Sequence, residues 1–407
     1  DGSPAKTLEH LRRELNLRFD HQRRELDTQT NFPTNLDPQA IAPEPLIQRA
    51  LADYRGTVNG FEDTGLELLQ WDKLDPNQRR NLLQRLTRPD YPSLPALVVA
   101  DLRHEHSGGF GSIAIHGKLL LAQLDACLAL MPELRNHTNF VNAYIQKLRP
   151  SADVDWAYNA AERRAYFERM WTFVAELGPA HNSLKTHVLY NLLALSRSEG
   201  DYPRERFMIY LQLPRPVHYA NPDWLRAEKN RNYPANLGAN FQGVTALPPV
   251  GVDEPLVRDY LANFLLEADD YEAFSPYVQE AYLKVLFAEI KIVNGVGDME
   301  RWYSLMPPDQ YQALKARVDL EFLPTNAELI GVPDPVTLAV AVKNVDSLIV
   351  KVYYLNTLNY YLANGSAIST AIDLDGLVAN EEKTLTYELP PLRRHVERLT
   401  FEKLTKP

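Results

Sequence analysis

The chain has 407 residues, of which 45% are hydrophobic and 24% are charged. This composition is typical of folded globular proteins, and the length allows two or three domains, since single cores stop growing at about 250 to 300 residues. The net charge of -10 argues against nucleic acid as a partner, because binding to phosphates needs a basic surface. We also expect no transmembrane segment, because no apolar run approaches the roughly 20 residues that a spanning helix needs.

Apolar residues spaced three or four apart predict helices over most of residues 1–317. Asp75 and Pro76 are typical of a helix start, the first as a cap and the second at the first helical position. No fixed repeat length joins the helices, so the spacing predicts an irregular all-α array and not a regular solenoid. The predicted helices are 8–26, 46–54, 66–71, 75–86, 97–102, 113–131, 139–148, 160–177, 183–198, 204–211, 254–266, 276–293 and 308–316.

Cys127 is the only cysteine, which excludes an internal disulfide and a zinc site built from several thiolates. It lies in the apolar run 119–128, where a thiol is desolvated and unreactive. We therefore interpret it as a small core residue.

A long segment rich in proline and asparagine, at 214–255, interrupts the helices. The helical part is either one domain or two domains divided at this segment. Loops of this length are uncommon unless they are functional or docked on another surface. Tyr219, Trp224 and Tyr233 either line a groove for a sugar or peptide, or pin the segment to the helices. We favour pinning, because a segment this long needs buried anchors.

The hydrophobic period changes at residue 318, where alternation typical of strands begins. The runs 336–342 and 348–354 predict a β-hairpin, joined by Asn344 to Ser347. Further strands are predicted at 319–322, 328–330, 371–374, 384–389 and 398–404. The predicted fold class is therefore α+β multidomain, with a mostly helical domain at 1–317 and an antiparallel β-sandwich at 318–407.

The run from Val340 to Tyr353 reads V-A-V-K-N-V-D-S-L-I-V-K-V-Y, a strand, an Asn-Val turn and a second strand. With 372–378 and 385–389 it resembles the macroglobulin-type sandwich domains, which are Ig-like in shape, of bacterial alpha-2-macroglobulin-like proteins. The resemblance covers about a fifth of the chain and leaves the helical part without a family. The thioester motif C-x-E-Q of the protease-trapping members is missing, since Leu128 follows Cys127, so no functional residue is carried over.

The resemblance implies a structural or protein-interaction region, without enzymatic activity, of a larger secreted or cell-envelope protein. The expected partners are another protein or neighbouring domains of the same polypeptide, and no cofactor is expected. The same resemblance implies a secreted, periplasmic or cell-surface location. The last residues, directly after a predicted strand, suggest a sequence cut from a longer one.

His104 and His106 are the candidate metal ligands, because two imidazoles at this spacing can meet one ion where the backbone is extended. Asp101 or His116 is the candidate third ligand. The alternative is that both histidines follow a helix end, where their charge interacts favourably with the helix dipole. We favour this alternative and expect no metal. The glycine-rich stretch 107–112 resembles an anion-binding loop in composition. We favour a linker or a tight turn, because no Lys-Ser or Lys-Thr pair follows it and no predicted strand precedes it.

An enzymatic alternative rests on the helix at 183–198, where Ser183, His187 and Tyr190 fall on one face. A helical toroid followed by a β-sandwich is the layout of several polysaccharide lyase families, in which histidine, tyrosine and asparagine take part in proton abstraction. In this alternative of a carbohydrate-active enzyme, His187, Tyr190 and Asn182 are catalytic. His187 and Tyr190 are the acid and base and reach a common open cleft lined by arginine and aromatic residues. Otherwise His187 and Tyr190 are partly buried residues of the helical core.

Overall fold

The computed structural model describes residues 74–402, apart from 87, 92, 329, 332–333, 367 and 370–371. The predicted helices at 8–26, 46–54 and 66–71 lie outside the described residues. Up to Ala316 the described part is helical, as the sequence predicts. The helices are α1 (Pro76–Leu83), α2 (Leu94–Leu102), α3 (Leu121–Leu130), α4 (Thr138–Leu148), α5 (Ala160–Val174), α6 (Asn182–Ser198), α7 (Arg204–Gln212), α8 (Pro222–Arg226), α9 (Glu228–Arg231), α10 (Gln242–Thr245), α11 (Glu254–Leu265), α12 (Glu280–Asn294), α13 (Met299–Leu305) and α14 (Pro308–Ala316).

Local side-chain chemistry explains where the first helix starts. The Asp75 carboxylate accepts hydrogen bonds from the backbone N–H groups of Asn77 and Gln78, each at 2.9 Å. The Gln78 side chain accepts in return from the Asp75 N–H at 3.1 Å, which completes a capping box. The predicted start at Asp75 and Pro76 is confirmed.

Two helix predictions give the wrong bounds. The predicted helix at 113–131 is divided into a 3₁₀ turn, Ala114–Lys118, and α3. The predicted helix at 276–293 starts only at Glu280, because the residues before it pair with the chain near Tyr219. The Gln279 N–H donates to the Tyr219 carbonyl at 2.8 Å. Periodicity does not show such long-range pairing.

The described residues form two compact units, the first of which comprises 74–156, 172–180 and 240–248. Leu83, Val98 and Phe140 are among its fully buried side chains. The Tyr144 ring stacks on Phe173 at 3.8 Å, and its hydroxyl donates to the Asp125 carboxylate at 2.6 Å.

The second unit comprises 157–171, 181–239 and 249–402, so it contains both helices and strands. Its main core draws on α6, α7, α11, α12 and α13. The aromatic side chains of Phe207, Tyr260 and Phe287 are fully buried there. The predicted domain boundary at 317/318 falls inside this unit, where helix gives way to strand, and it stays a prediction.

The strands are β1 (Asp319–Phe322), β2 (Thr337–Lys343), β3 (Ser347–Val352), β4 (Glu381–Thr386) and β5 (Arg394–Thr400). They form a three-stranded antiparallel sheet in the order β1-β2-β5 and a two-stranded antiparallel sheet, β3-β4. The inward faces pack on each other through Val340, Val342 and Leu399 on one side and Leu348, Val350 and Leu385 on the other. The predicted helical array followed by an antiparallel sandwich is confirmed.

The predicted hairpin between β2 and β3 is wrong. The two strands belong to different sheets, and the chain crosses between them at Asn344, whose φ is +55°. Alternation shows that each strand buries one face, but it does not show which strand is the partner. Residues 372–374, predicted as strand, have no strand geometry, and a helix that was not predicted, α15 (Thr357–Asn364), joins β3 to β4.

Candidate functional site

The residues proposed as catalytic, Asn182, His187 and Tyr190, lie on α6. Two polar side chains at the start of this helix bind the backbone of the irregular segment 214–255. The Asn182 side chain donates to the Tyr233 carbonyl at 2.8 Å. The Ser183 hydroxyl accepts from the Asn236 backbone N–H at 2.9 Å. These contacts support the interpretation that the 214–255 segment is pinned to the helices.

His187 does not reach an open cleft, because its side chain is only 2% exposed. Burial lowers the pKa of His187 to about 4, so the imidazole is neutral at neutral pH. Tyr190 is half-buried beside Tyr210, with 6.5 Å between the ring centroids, and burial raises the pKa of its hydroxyl. An acid and a base for a polymeric substrate need access that His187 lacks, so this geometry gives the lyase hypothesis no support.

His104 and His106 lie at the surface, with their ring centroids 5.4 Å apart. The suggested third ligands are engaged elsewhere: Asp101 pairs with Arg80 at 2.8 Å, and the buried His116 accepts from the Gly111 N–H through Nδ1 at 2.8 Å. Within residues 74–402 as described, no group of three or more His, Cys, Asp or Glu side chains could hold a metal ion.

The glycine-rich stretch 107–112 is a closed turn whose polar groups bind one another. Gly108, Gly109 and Gly111 have positive φ angles. The Ser112 hydroxyl donates to the Gly109 carbonyl at 2.7 Å and accepts from Arg80 at 2.8 Å. These bonds support the tight-turn interpretation.

A buried charge cluster that the sequence analysis missed ties the irregular segment to the start of α11. Arg215 and Asp253 are 3% and 1% exposed and form a salt bridge. The hydroxyls of Tyr210 and Tyr219 donate to the Asp253 carboxylate at 2.8 and 2.6 Å. The Arg215 guanidinium lies 4.1 Å from the centre of the Tyr210 ring. A buried ion pair satisfied in this way holds its segments in one arrangement.

Desolvation alone would lower the pKa of Arg215, but Tyr210, Tyr219 and Asp253 around it raise the pKa above its ordinary value. The guanidinium is therefore charged at any pH at which the protein is studied. The sequence contains one indication of this buried cluster. Arg215 lies between Pro214 and Pro216 in an aromatic-rich segment, which is unusual for a solvated loop. Its partner Asp253 is too distant in sequence to be recognised by spacing.

A cleft of about 730 Å³ lies within the second unit, between α11, α12 and the outer face of the three-stranded sheet. Glu289 of α12 accepts from Arg258 at 3.0 Å and from Arg317 at 2.9 Å. Arg317 also binds the β1 residue Asp319 at 2.6 Å, and this bond, with Glu289, raises the pKa of the guanidinium. The ion pairs thus join the helices to the sheet.

Lys343 of β2 is buried on the same outer face and donates to the Leu314 carbonyl at 2.8 Å and to the Arg317 carbonyl. Burial lowers the pKa of its ammonium. The hydrogen bonds satisfy carbonyl groups at the end of α14, which have no partner inside the helix. The cleft wall is therefore built to hold helices and strands together. Its charged side chains pair with one another and are not gathered around one reacting centre.

The described helices are not long and apolar enough for any of them to cross a bilayer. The described part combines a helical body with an antiparallel sandwich, and its buried and cleft charges are paired in structural contacts, so the fold alone does not define a function. A family model described as the actin-binding protein F N-terminal domain matches residues 40–318. The chain belongs to this family. A second model, described as the AbpF first immunoglobulin-like domain, matches residues 348–407, which confirms the Ig-like part of the fold prediction.

The chain is 28% identical over 376 residues to Actin-binding protein F of Dictyostelium discoideum. The match covers 91% of this chain and 16% of that protein, so the chain spans about a sixth of the length of its relative. No solved structure matches significantly. The family supports a protein partner and a role in protein interaction.

The predicted resemblance to bacterial alpha-2-macroglobulin-like proteins is wrong, because both family models and the similar protein belong to the actin-binding protein F family. Its carrying residues, two V-x-V runs around an Asn-Val turn, are common to many Ig-like sandwiches and do not distinguish the families. The expected secreted, periplasmic or cell-surface location followed from that resemblance and was wrong with it. The relative is a protein named for binding actin, which is a cytoskeletal protein.

Proposed function

We propose that this chain binds actin, and that it does so through its helical region. The observation that carries the proposal is the match of the actin-binding protein F N-terminal domain to residues 40–318, which includes the described helices up to Ala316. The identity of 28% continues over 376 residues, so the similarity to a protein named for actin binding is not confined to one segment. An intracellular, cytoskeleton-associated location is part of the same proposal.

Rigidity within the second unit supports the proposal. The buried pair of Arg215 and Asp253 and the ion pairs of Glu289 hold the irregular segment, α11, α12 and the residue after α14 together. A rigid surface loses little conformational entropy when it docks on a filament. The Ig-like sandwich is then a second module beside the actin-binding part.

Sedimentation of the full chain with actin filaments tests the proposal. We expect the chain to pellet with filaments in a saturable manner at about 0.15 M salt, where attraction between exposed charges is largely screened beyond about 8 Å. Phe322→Asp, which changes an exposed strand residue outside the helical region, is expected to pellet to the same extent. A chain that stays in the supernatant at every actin concentration would exclude actin binding.

A further inference from the structure

Two asparagine-glycine pairs of the described chain end helices in the same way. Asn364 is the last residue of α15 and Asn294 is the last residue of α12, and the glycines that follow have φ angles of +67° and +65°. Each asparagine side chain donates to the carbonyl four residues before it, Asn364 to Tyr360 at 2.9 Å and Asn294 to Ile290 at 2.8 Å. The two pairs therefore share their local geometry and differ in their surroundings.

An asparagine followed by glycine is open to an uncatalysed reaction, because glycine has no side chain that hinders attack by its own nitrogen. In the pair at α15, the Gly365 nitrogen forms a bond to Cγ of Asn364 and the Cγ–Nδ2 bond breaks. Nδ2 leaves as ammonia and takes the proton of the Gly365 N–H. Water then opens the cyclic imide, at Cγ to give aspartate or at the backbone carbonyl carbon to give isoaspartate.

A closed helix end protects the asparagine from this reaction. Ring closure brings Cγ and the next nitrogen to one side of the Cα–C bond, which a helical ψ does not allow. The attacking N–H groups are also engaged, Gly365 with the Tyr361 carbonyl at 2.7 Å and Gly295 with the Ile292 carbonyl at 3.1 Å. The last helical turn must therefore open before the reaction starts, and the rate follows the population of the open form.

Few contacts hold the end of α15 closed. None of the eight residues of this helix, all of which the structure describes, is buried. Leu358, Tyr361 and Leu362 are 65%, 54% and 72% exposed. No described atom lies within 4 Å of the position that a Cβ at Gly365 would take. A helix this short is marginal in water without packing, so its last turn opens readily.

The end of α12, in contrast, is held by the core of the second unit. Ile292 and Val293 are buried. The Lys291 ammonium donates to the Leu266 carbonyl, directly after α11, at 2.7 Å. The Arg393 guanidinium lies against the glycine that ends the helix. Opening of this turn breaks contacts with α11 and with the loop before β5, so the open form is much rarer than in α15.

We propose that Asn364 is a site of spontaneous conversion to aspartate and isoaspartate in the folded chain, and that the packing of α12 spares Asn294. Both products lose the Nδ2 donor and place a carboxylate at the C-terminal end of α15, where the helix dipole disfavours negative charge. Isoaspartate also adds a methylene group to the backbone. The last turn of α15 therefore stays open after the reaction, and the β3-β4 connection changes as the protein ages. This proposal does not depend on actin binding.

Peptide mapping by mass spectrometry tests the proposal on the full chain after incubation at mildly alkaline pH, which favours the deprotonated, attacking nitrogen. We expect Asn364 to convert about ten times faster than Asn294 or more, because the end of α15 opens more often. In concentrated urea, which unfolds both helices, we expect similar rates at the two sites, since glycine follows each. The third such pair in the sequence, Asn59-Gly60, lies outside the described residues and gives a separate peptide.

Two variants separate the effect of packing from the chemistry of the dipeptide. Asn364→Gln is expected to abolish conversion at this position, because glutamine would have to close a larger ring. Ile292→Ala removes a buried side chain from the end of α12, so we expect it to speed conversion of Asn294 by about tenfold or more. The rate at Asn364 is expected to stay the same in Ile292→Ala, which makes it the internal control.

Three results would overturn the proposal. The first is an Asn364 that stays intact in the folded chain while it converts in urea, which would mean that α15 remains closed. The second is equal conversion of Asn364 and Asn294 in the folded chain. The third is an unchanged rate at Asn294 in folded Ile292→Ala, which would mean that packing does not protect this site. If Ile292→Ala fails to fold, the comparison of folded and urea-unfolded chains still decides.

Discussion

At the scale of single residues, the most consequential groups of this chain are polar side chains that are fully buried. Arg215 and Asp253 lie in the interior of the second unit with all their strong partners in place. Removing one partner leaves the other as an uncompensated charge in a medium of low polarity. The ion pair therefore fixes the irregular segment to α11 more strongly than surface contacts could.

Arg215→Met tests this role. The change keeps most of the side-chain volume but leaves Asp253 without its cation, so we expect the free energy of unfolding to fall by about 3 to 5 kcal/mol. Urea denaturation followed by circular dichroism measures the change. Arg226→Met is the control, because Arg226 forms an exposed ion pair with Asp223. This change is expected to lower the free energy of unfolding by less than about 1 kcal/mol. Equal effects of the two changes would contradict the account.

His187 gives the stability a pH dependence with a definite sign. Its pKa is about 4 in the folded chain and about 6.5 when unfolded, so the fold favours the neutral imidazole. The stabilisation is fully present above about pH 6.5 and is lost as the pH falls towards 4. We expect a loss of about 2 to 3 kcal/mol between pH 7 and 4.5 from this residue.

The matching measurement compares urea denaturation of the unmodified chain and of His187→Gln at pH 7 and 4.5. Glutamine does not titrate, so the variant is expected to lose less stability on acidification. Other buried groups, such as His116, whose pKa burial also lowers to about 4, contribute the remainder. An identical loss in both proteins would show that His187 is not buried as a neutral group.

At the scale of elements, local chemistry in the sequence predicts where helices begin, but it does not predict what strands pair with. Asp75, Pro76 and Gln78 act within one turn, so the start of α1 could be read directly from them. The partners of β2 lie on either side of it in sequence, at 319–322 and 394–400. For the same reason the contacts of Arg215 and the cleft residues, which come from distant segments, could not be predicted.

The end of α12 illustrates a contact of this long-range kind. Gly295 closes the helix with a φ of +65°, and the Arg393 guanidinium from the loop before β5 lies where a side chain would be. Glycine is therefore favoured at this position for two reasons. Its conformation is left-handed, and its missing side chain leaves room for Arg393.

Gly295→Ala and Gly251→Ala separate the two reasons. Gly251 has a φ of +68° with open space around it, so its replacement should cost only the conformational penalty of about 1 kcal/mol. We expect Gly295→Ala to cost about 1 kcal/mol more, because Arg393 must move. Thermal and urea denaturation measure both. If the double variant Gly295→Ala, Arg393→Ala is no more stable than Gly295→Ala alone, the contact with Arg393 does not account for the larger loss of stability.

At the scale of the whole molecule, the second unit unites helices and strands. Lys343 binds the end of α14, Arg317 joins Glu289 to Asp319, and Leu392 packs on the helical core. These contacts predict that α12 and β2 unfold together, although α12 lies within the first family match and β2 lies between the two matches.

Hydrogen exchange at increasing urea concentration tests this coupling. In the unmodified chain we expect peptides from α12 and β2 to lose protection at the same urea concentration. Lys343→Met removes the bonds to the end of α14, so β2 is expected to lose protection first, with a destabilisation of about 2 kcal/mol. Separate transitions in the unmodified chain would contradict the coupling.

Electron cryomicroscopy of actin filaments mixed with the full chain shows whether the helical region binds actin. We predict regularly decorated filaments in which helices between Pro76 and Ala316 contact actin. Bare filaments at saturating chain, or decoration through the sandwich strands alone, would contradict this prediction.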